Sequence, residues 1–82
     1  MWYVYILQSL KNSFYYVGFT NDPERRIFEH NSSLKKNSFT YKNRPYKMVH
    51  LEKYHSKIQA MLREKFLKTG KGREEIKKLS SD

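Results

Sequence analysis

Cysteine is absent from this chain of 82 residues, which rules out disulfides and thiolate metal sites as sources of stability. Nor is there any run long and apolar enough to span a membrane as a helix. The N-terminus lacks the basic-then-apolar layout of a secretory signal and enters a patterned strand at once. These absences point to a reduced, cytoplasmic, soluble protein. Apolar residues make up only 38% of the chain, so the core must be small. The sequence reads as one domain over residues 1–82, near the lower size limit for folding without a staple. No internal repeat, linker or second domain is visible.

Acidic residues are also few, 8 against 17 lysines and arginines, which leaves a formal charge of +9. A domain this small and this basic is built to meet a polyanion, and nucleic acid is the leading candidate. A merely solubilising surface needs a smaller and less one-sided charge. Aromatics reach 16%, with seven tyrosines. A tyrosine packs its ring but needs a partner for its hydroxyl, so this composition suggests a partly wet, polar-lined surface.

Trp2 to Leu7 is aromatic and β-branched and reads as a strand, with Trp2, Val4 and Ile6 on one face and Tyr3, Tyr5 and Leu7 on the other. Leu10-Lys11-Asn12-Ser13 is turn chemistry, and Phe14 to Phe19 returns as a second strand. Gly18 near its end permits an unusual backbone or a close approach by another group. Asp22 is a good N-cap and Pro23 suits a first helical position, so a helix is expected to run to about Asn31 or Ser33. Ile27 and Leu34 would face the sheet, with Arg26 and His30 stacked four residues apart beside them. From Asn31 to Pro45 the pattern dissolves into loop composition. Phe39 and Tyr41 lie there among lysines and Arg44, a mixture that suits either nucleic-acid contact or a loop tucked down by Phe39. Tyr46 to His55 reads as the third strand, with Val49 and Leu51 on one face and Met48, His50, Glu52 and Tyr54 on the other. Ser56 and Gln59 make a capping box for a second helix to about Thr69, stopped by Gly70, with Ile58, Met61, Leu62 and Phe66 as its core stripe. Gly72 to Ser80 reads as a short basic third helix with Ile76 and Leu79 facing in.

Cleaving a phosphodiester requires an activated water, neutralisation of charge on the phosphorus oxygens and help for the leaving oxygen. Glu64 is a lone carboxylate in a basic region, and one carboxylate can suffice for a magnesium ion that keeps several waters. On its own it is better explained by a pair with Lys68, four residues on, on a solvated helix face. Arg26 can clamp a phosphate oxygen, or simply carry surface charge. Tyr5 and Tyr16 can position or deprotonate water if their pKa values are lowered, although each taken singly is an ordinary core tyrosine. His30 can hydrogen-bond a tyrosine or a phosphate. His50 and His55 make no metal-ligand pair and read as structural. Lys71-Gly72-Arg73 is no phosphate-binding loop, because it follows a helix and is too short.

Taken in order, these residues resemble the GIY-YIG nuclease domain in its small stand-alone form. Tyr3-Val4-Tyr5 corresponds to the first motif and Tyr16-Val17-Gly18 to the second. Arg26, eight residues past Gly18, matches the family's catalytic arginine, and His30 its helix histidine. Leu62-Arg63-Glu64-Lys65 matches the segment with the metal-binding glutamate, and the tail from Lys68 to Arg73 is similar to that of small members. The resemblance covers nearly the whole chain. It implies an α/β (α+β) fold around a three-stranded antiparallel sheet with about three helices. It also implies a DNA endonuclease that uses a single divalent metal, Mg²⁺ or Mn²⁺, in repair, recombination or DNA processing. Glu64 would bind the metal, Arg26 would stabilise the phosphate, and Tyr5 and Tyr16 would orient or activate water with His30 assisting. Arg25, Lys35, Lys36, Lys42, Arg44, Arg63, Lys68, Lys71 and Arg73 are the cations expected to contact DNA. In some relatives, including the incision subunit of bacterial nucleotide-excision repair, a lysine follows the second motif's glycine. Phe19 stands there in this chain, so a mechanism in which that lysine lowers a tyrosine's pKa is not carried over. The alternative is a non-catalytic nucleic-acid-binding module that keeps the fold. Selectivity is expected to be weak or structure-dependent, or supplied by a repair-protein partner or by self-association.

Overall fold

The computed structural model describes residues 1–32 and 44–80. A three-stranded antiparallel sheet is formed by β1 (Trp2–Ser9), β2 (Tyr15–Thr20) and β3 (Tyr46–Tyr54), in the order β2-β1-β3. Three helices accompany it: α1 (Pro23–Ser32), α2 (Lys57–Leu67) and α3 (Gly70–Leu79). The expected α+β architecture is therefore present.

β1 lies in the middle and is covered on both faces, which is why its sequence is almost continuously apolar. Val4 and Ile6 are fully buried against Ala60 and Leu67 of α2 and Ile76 of α3. On the other face Tyr5 and Leu7 pack with Tyr46, Tyr16, Met48 and Ile27 of α1. The hairpin to β2 is closed by local polar chemistry. The Ser9 hydroxyl accepts from the Lys11 and Asn12 amides, the Asn12 side chain accepts from the Phe14 amide, and Ser13 takes the left-handed turn position at φ 64°. The resulting register sets Tyr5 opposite Gly18 and Leu7 opposite Tyr16, so both tyrosines share a face.

Helix α1 starts as its sequence dictates. The Asp22 carboxylate accepts from the Arg25 amide at 3.1 Å, and Pro23 occupies the first turn. The Ser56 cap of α2 also forms, accepting from the Gln59 amide at 3.2 Å.

Three expectations are overturned. In β3 the pairing slips between Ile6, opposite His50, and Leu7, opposite Met48, so Val49 is an extra residue. That bulge breaks the alternation: Met48 joins the Tyr5 face, while Val49 packs on the Val4 face. In α2 the expected stripe points outward, with Ile58, Leu62 and Phe66 64%, 58% and 40% exposed. The buried side is instead Ala60 and Leu67, with Arg63 and Glu64 between them. Two forces set this phase. Ala60 is small enough for close approach to the sheet, and Arg63 is clamped between carboxylates of β3 and α3. Its guanidinium donates to both oxygens of Glu52 (2.9 and 3.0 Å) and both of Glu75 (3.1 and 2.6 Å). Burial would raise the Glu52 pKa, but hydrogen bonds from Arg63, Tyr54 and His50 outweigh it and hold the value at about 2.

The third correction concerns Gly70, which opens α3 instead of stopping α2. Lys68 ends α2 in a right-handed conformation, and the Thr69 hydroxyl caps α3 by accepting from the Gly72 amide at 3.1 Å. The corner is tight because Gly72 has no side chain: a Cβ there would lie 2.1 Å from the Phe66 carbonyl oxygen. Ile76 is buried and Leu79 packs against the same cluster, as expected.

Candidate active site

Gly18 explains how the site assembles at the sheet's edge. It lies on the outer strand β2 directly across from Tyr5, and a Cβ there would come within 2.2 Å of the Tyr5 oxygen. Without that Cβ, the Tyr5 ring reaches over β2 and sets its hydroxyl above Gly18. There the hydroxyl meets His30 from α1, with Oη and Nε2 3.1 Å apart.

Four rings cluster at this point. Tyr16 stands edge-on to His30 at 4.5 Å between centroids and stacks near Tyr5 at 6.5 Å. Tyr46, which sequence reading treated only as the start of a strand, completes the group at 6.2 Å from His30. Asn31 was likewise missed. Its amide pins α1 to β3 by accepting from the Tyr46 amide at 2.6 Å and donating to the Tyr46 carbonyl at 3.2 Å. The neighbouring His30 is thereby held over the tyrosines. Neither role carries a sequence signal, since both arise from a contact between distant elements.

The electrostatics follow from burial. His30 is only 5% exposed, and burial together with the positive charge of Arg26 lowers its pKa to about 4. The imidazole is therefore neutral at neutral pH. Burial also raises the Tyr5 pKa, against a hydrogen bond from Arg26 that lowers it. Arg26 can only donate to the Tyr5 oxygen. The Tyr5 hydroxyl also shares a hydrogen bond with His30 Nε2, its direction set by the imidazole tautomer. Arg26 also binds Glu29 at 3.0 Å and keeps about a third of its side chain exposed. Burial would lower the Arg26 pKa, but hydrogen bonds to Tyr5 and Glu29 outweigh it and keep the guanidinium charged.

The negative charge of Glu64 on α2 also acts to raise the Tyr5 pKa, after burial and the neighbouring charges. Its carboxylate is 15% exposed, and Lys68 is its ion-pair partner at 3.4 Å. Among the described residues no group of three or more histidines, aspartates or glutamates gathers as a metal cage. The donor set fits a hard cation held by one carboxylate, with water and substrate oxygens filling its other positions. Phe19 points away from all of this. It pairs with Val4 and packs against Trp2 at 6.1 Å, so that position faces the opposite side of the sheet.

The expected DNA-contacting cations divide. Arg25, Lys68, Lys71 and Arg73 are exposed. Arg44 donates to the carbonyl of Asn31 at the end of α1, at 3.4 Å. Arg63 is withdrawn into its two carboxylates and does not form part of an open basic surface. Lys35, Lys36 and Lys42 lie outside the described residues, as do Leu34, Phe39 and Tyr41.

Comparison with known proteins identifies the family and the fold. Residues 1–78 match the family described as the GIY-YIG catalytic domain. A UPF0213 protein of Staphylococcus haemolyticus is 39% identical over 75 residues, covering 92% of this chain and 89% of that protein. A UPF0213 protein of Enterococcus faecalis is 42% identical over 59 residues, or 71% of this chain. The match spans 66% of the Enterococcus protein and 60% of a relative from Desulfotalea psychrophila, so the chain covers less than two thirds of those two. The solution NMR structure of a UPF0213 protein from Bacillus halodurans superposes with a TM-score of 0.57 at 34% identity, over 96% of this chain and 85% of that one. The chain therefore belongs to the GIY-YIG catalytic-domain family, among the UPF0213 proteins.

Proposed function

We propose that this protein is a divalent-metal-dependent endonuclease that hydrolyses one DNA strand at a time. The observation that carries the reading is convergence. The Tyr5 hydroxyl meets His30, Tyr16 packs against both rings, and the charges of Arg26 on α1 and Glu64 on α2 act on Tyr5. Fold stability alone has no use for a carboxylate, a guanidinium and a neutral imidazole around a buried phenol.

Each group has a distinct task. Arg26, partly exposed and charged, donates to the phosphate oxygens as negative charge builds on them. Glu64 holds the cation, Mg²⁺ or Mn²⁺, which when bound lowers the pKa of water and offsets charge on the leaving oxygen. Tyr5 aligns the attacking water through its oxygen. As the water attacks phosphorus its proton is released to solvent, while neutral His30 holds the Tyr5 hydroxyl in place by a hydrogen bond. The high Tyr5 pKa is then no obstacle, because a free phenolate is never formed. Tyr16 packs against His30 and keeps the imidazole in line. A role in repair or DNA processing, and residence in the cytoplasm, accord with this chemistry.

A binding-only module is favoured by one observation, that Lys68 already neutralises Glu64. Incubation with supercoiled plasmid and Mg²⁺ or Mn²⁺ separates the two. The nuclease reading expects nicking by the wild type, abolished by EDTA and reduced on the order of 10²-fold or more in Arg26→Ala and Glu64→Ala. Binding without nicking supports the module, and nicking that persists in both variants removes the site assignment.

A further inference from the structure

A cavity opens along the outer edge of β2, bordered by Tyr16 of the candidate site. It is a cleft of about 570 Å³ between β2 and the corner joining α2 to α3, well within the size range of small-ligand sites. Its floor is apolar, formed by the buried Leu67 and Ile76. Phe14 stands at one wall with 56% of its surface exposed, although a ring at a hairpin end gains nothing from facing water. Lys68, Arg73 and Lys77 supply positive charge on the other side. Arg73 and Lys77 are four residues apart on α3, and neither pairs with a carboxylate among the described residues.

Resting on the nuclease reading above, we propose that this cleft is a subsite for one unstacked nucleobase of the strand being cut. Phe14 is the platform on which the base stacks, and Arg73 and Lys77 hold the flanking phosphates. An apolar floor, an exposed ring and cations without a carboxylate partner among the described residues suit the base and phosphates of a nucleotide. The position also fits. Tyr16 lines the cleft on one side and belongs to the catalytic ring cluster on the other. Lys68 lines it too, and its ammonium lies 3.4 Å from Glu64. A base seated there lies on the α2–α3 side of β2, with Lys68 and its partner Glu64 between it and the ring cluster on the other face. A regular duplex keeps its bases stacked, so the subsite selects for single strand or for a base extruded from a duplex.

The test measures binding of the full chain in EDTA, where nothing is cut. Fluorescein-labelled probes are a short oligo(dT), the same strand carrying abasic residues, a blunt duplex and a duplex with one bulged base. Phe14→Ala is expected to weaken oligo(dT) binding roughly 5- to 100-fold and to leave the abasic strand and blunt duplex within about twofold. Phe14→Trp keeps a stacking surface and should restore affinity. Arg73→Ala should weaken all probes and reduce the salt slope by about one. Phe14 dependence in the single strand, the bulged duplex or both supports the subsite and shows which source supplies the base. Equal weakening of base-bearing and abasic strands by Phe14→Ala, or no weakening, overturns it. Plasmid nicking by the same preparations reports separately on the nuclease. Nicking without base-dependent coupling to Phe14 leaves the nuclease standing and removes the subsite. Coupling in a protein that nicks nothing leaves the binding subsite and removes the nuclease.

Discussion

At the scale of single residues, the account turns on Gly18, Tyr5 and His30. Gly18 was legible as a place of close approach, and what approaches is the Tyr5 ring. An added methyl group would sit 2.2 Å from its oxygen and 2.5 Å from the adjacent ring carbon, so the ring must move. Gly18→Ala is therefore expected to destabilise by about 1–3 kcal/mol. It should also cut the cleavage rate at least tenfold while leaving DNA affinity within about twofold, as thermal melts, kinetics and binding assays on one preparation will report. An unchanged rate would mean that the position of the Tyr5 hydroxyl is irrelevant. His30 makes a separate prediction about pH. Its folded pKa of about 4 lies below the ordinary imidazole value near 6.5, so the unfolded chain takes up the proton first as pH falls. Stability from the buried neutral ring is complete above pH 6.5 and is lost as pH falls towards 4. Between pH 7 and 5 the loss is on the order of 2 kcal/mol. Thermal melts of wild type and His30→Gln should converge across this window, whereas parallel pH profiles would contradict the assignment.

At the scale of elements, what was legible depended on how local its cause is. The Asp22 and Ser56 caps and the two faces of β1 follow from neighbours in sequence, and each formed as expected. The phase of α2 did not, because it is set by partners far along the chain. Apolar spacing picked out Ile58, Leu62 and Phe66, but Arg63 finds Glu52 on β3 and Glu75 on α3, and the helix turns to satisfy it. The bulge at Val49 was hidden for the same reason, since a period-two reading has no means of inserting a residue. Core and surface substitutions on α2 check this phase directly. Leu67→Ala should cost about 2–5 kcal/mol, and Leu62→Ser should stay within about 0.5 kcal/mol in denaturant melts. The reverse order would restore the original stripe. Arg63→Ala leaves Glu52 without its guanidinium partner and should lower the melting temperature, with the salt dependence of DNA binding unaltered. A lowered salt slope in that variant would return Arg63 to the DNA-contacting surface.

At the scale of the whole molecule, the site is a meeting of separate parts, and this governed how it was read. Tyr5, Tyr16, Arg26, His30 and Glu64 carry weak signals singly, and their order and spacing made the family recognisable. Tyr46 and Asn31 lie beyond that pattern, and only the packing of α1 against β3 reveals them. The charge of +9 also acts at this scale, and DNA affinity should fall steeply between low and moderate salt. The central claim is that one carboxylate, Glu64, makes the difference between a basic protein that holds DNA and one that cuts it. Single-turnover cleavage in Mg²⁺, with protein in excess over labelled DNA, isolates that step from binding and release. Glu64→Gln, nearly the same in shape and one charge poorer, is expected to bind DNA at least as tightly as the wild type and to cleave it on the order of 10²-fold more slowly or worse. Cleavage by Glu64→Gln at the wild-type rate would contradict the account.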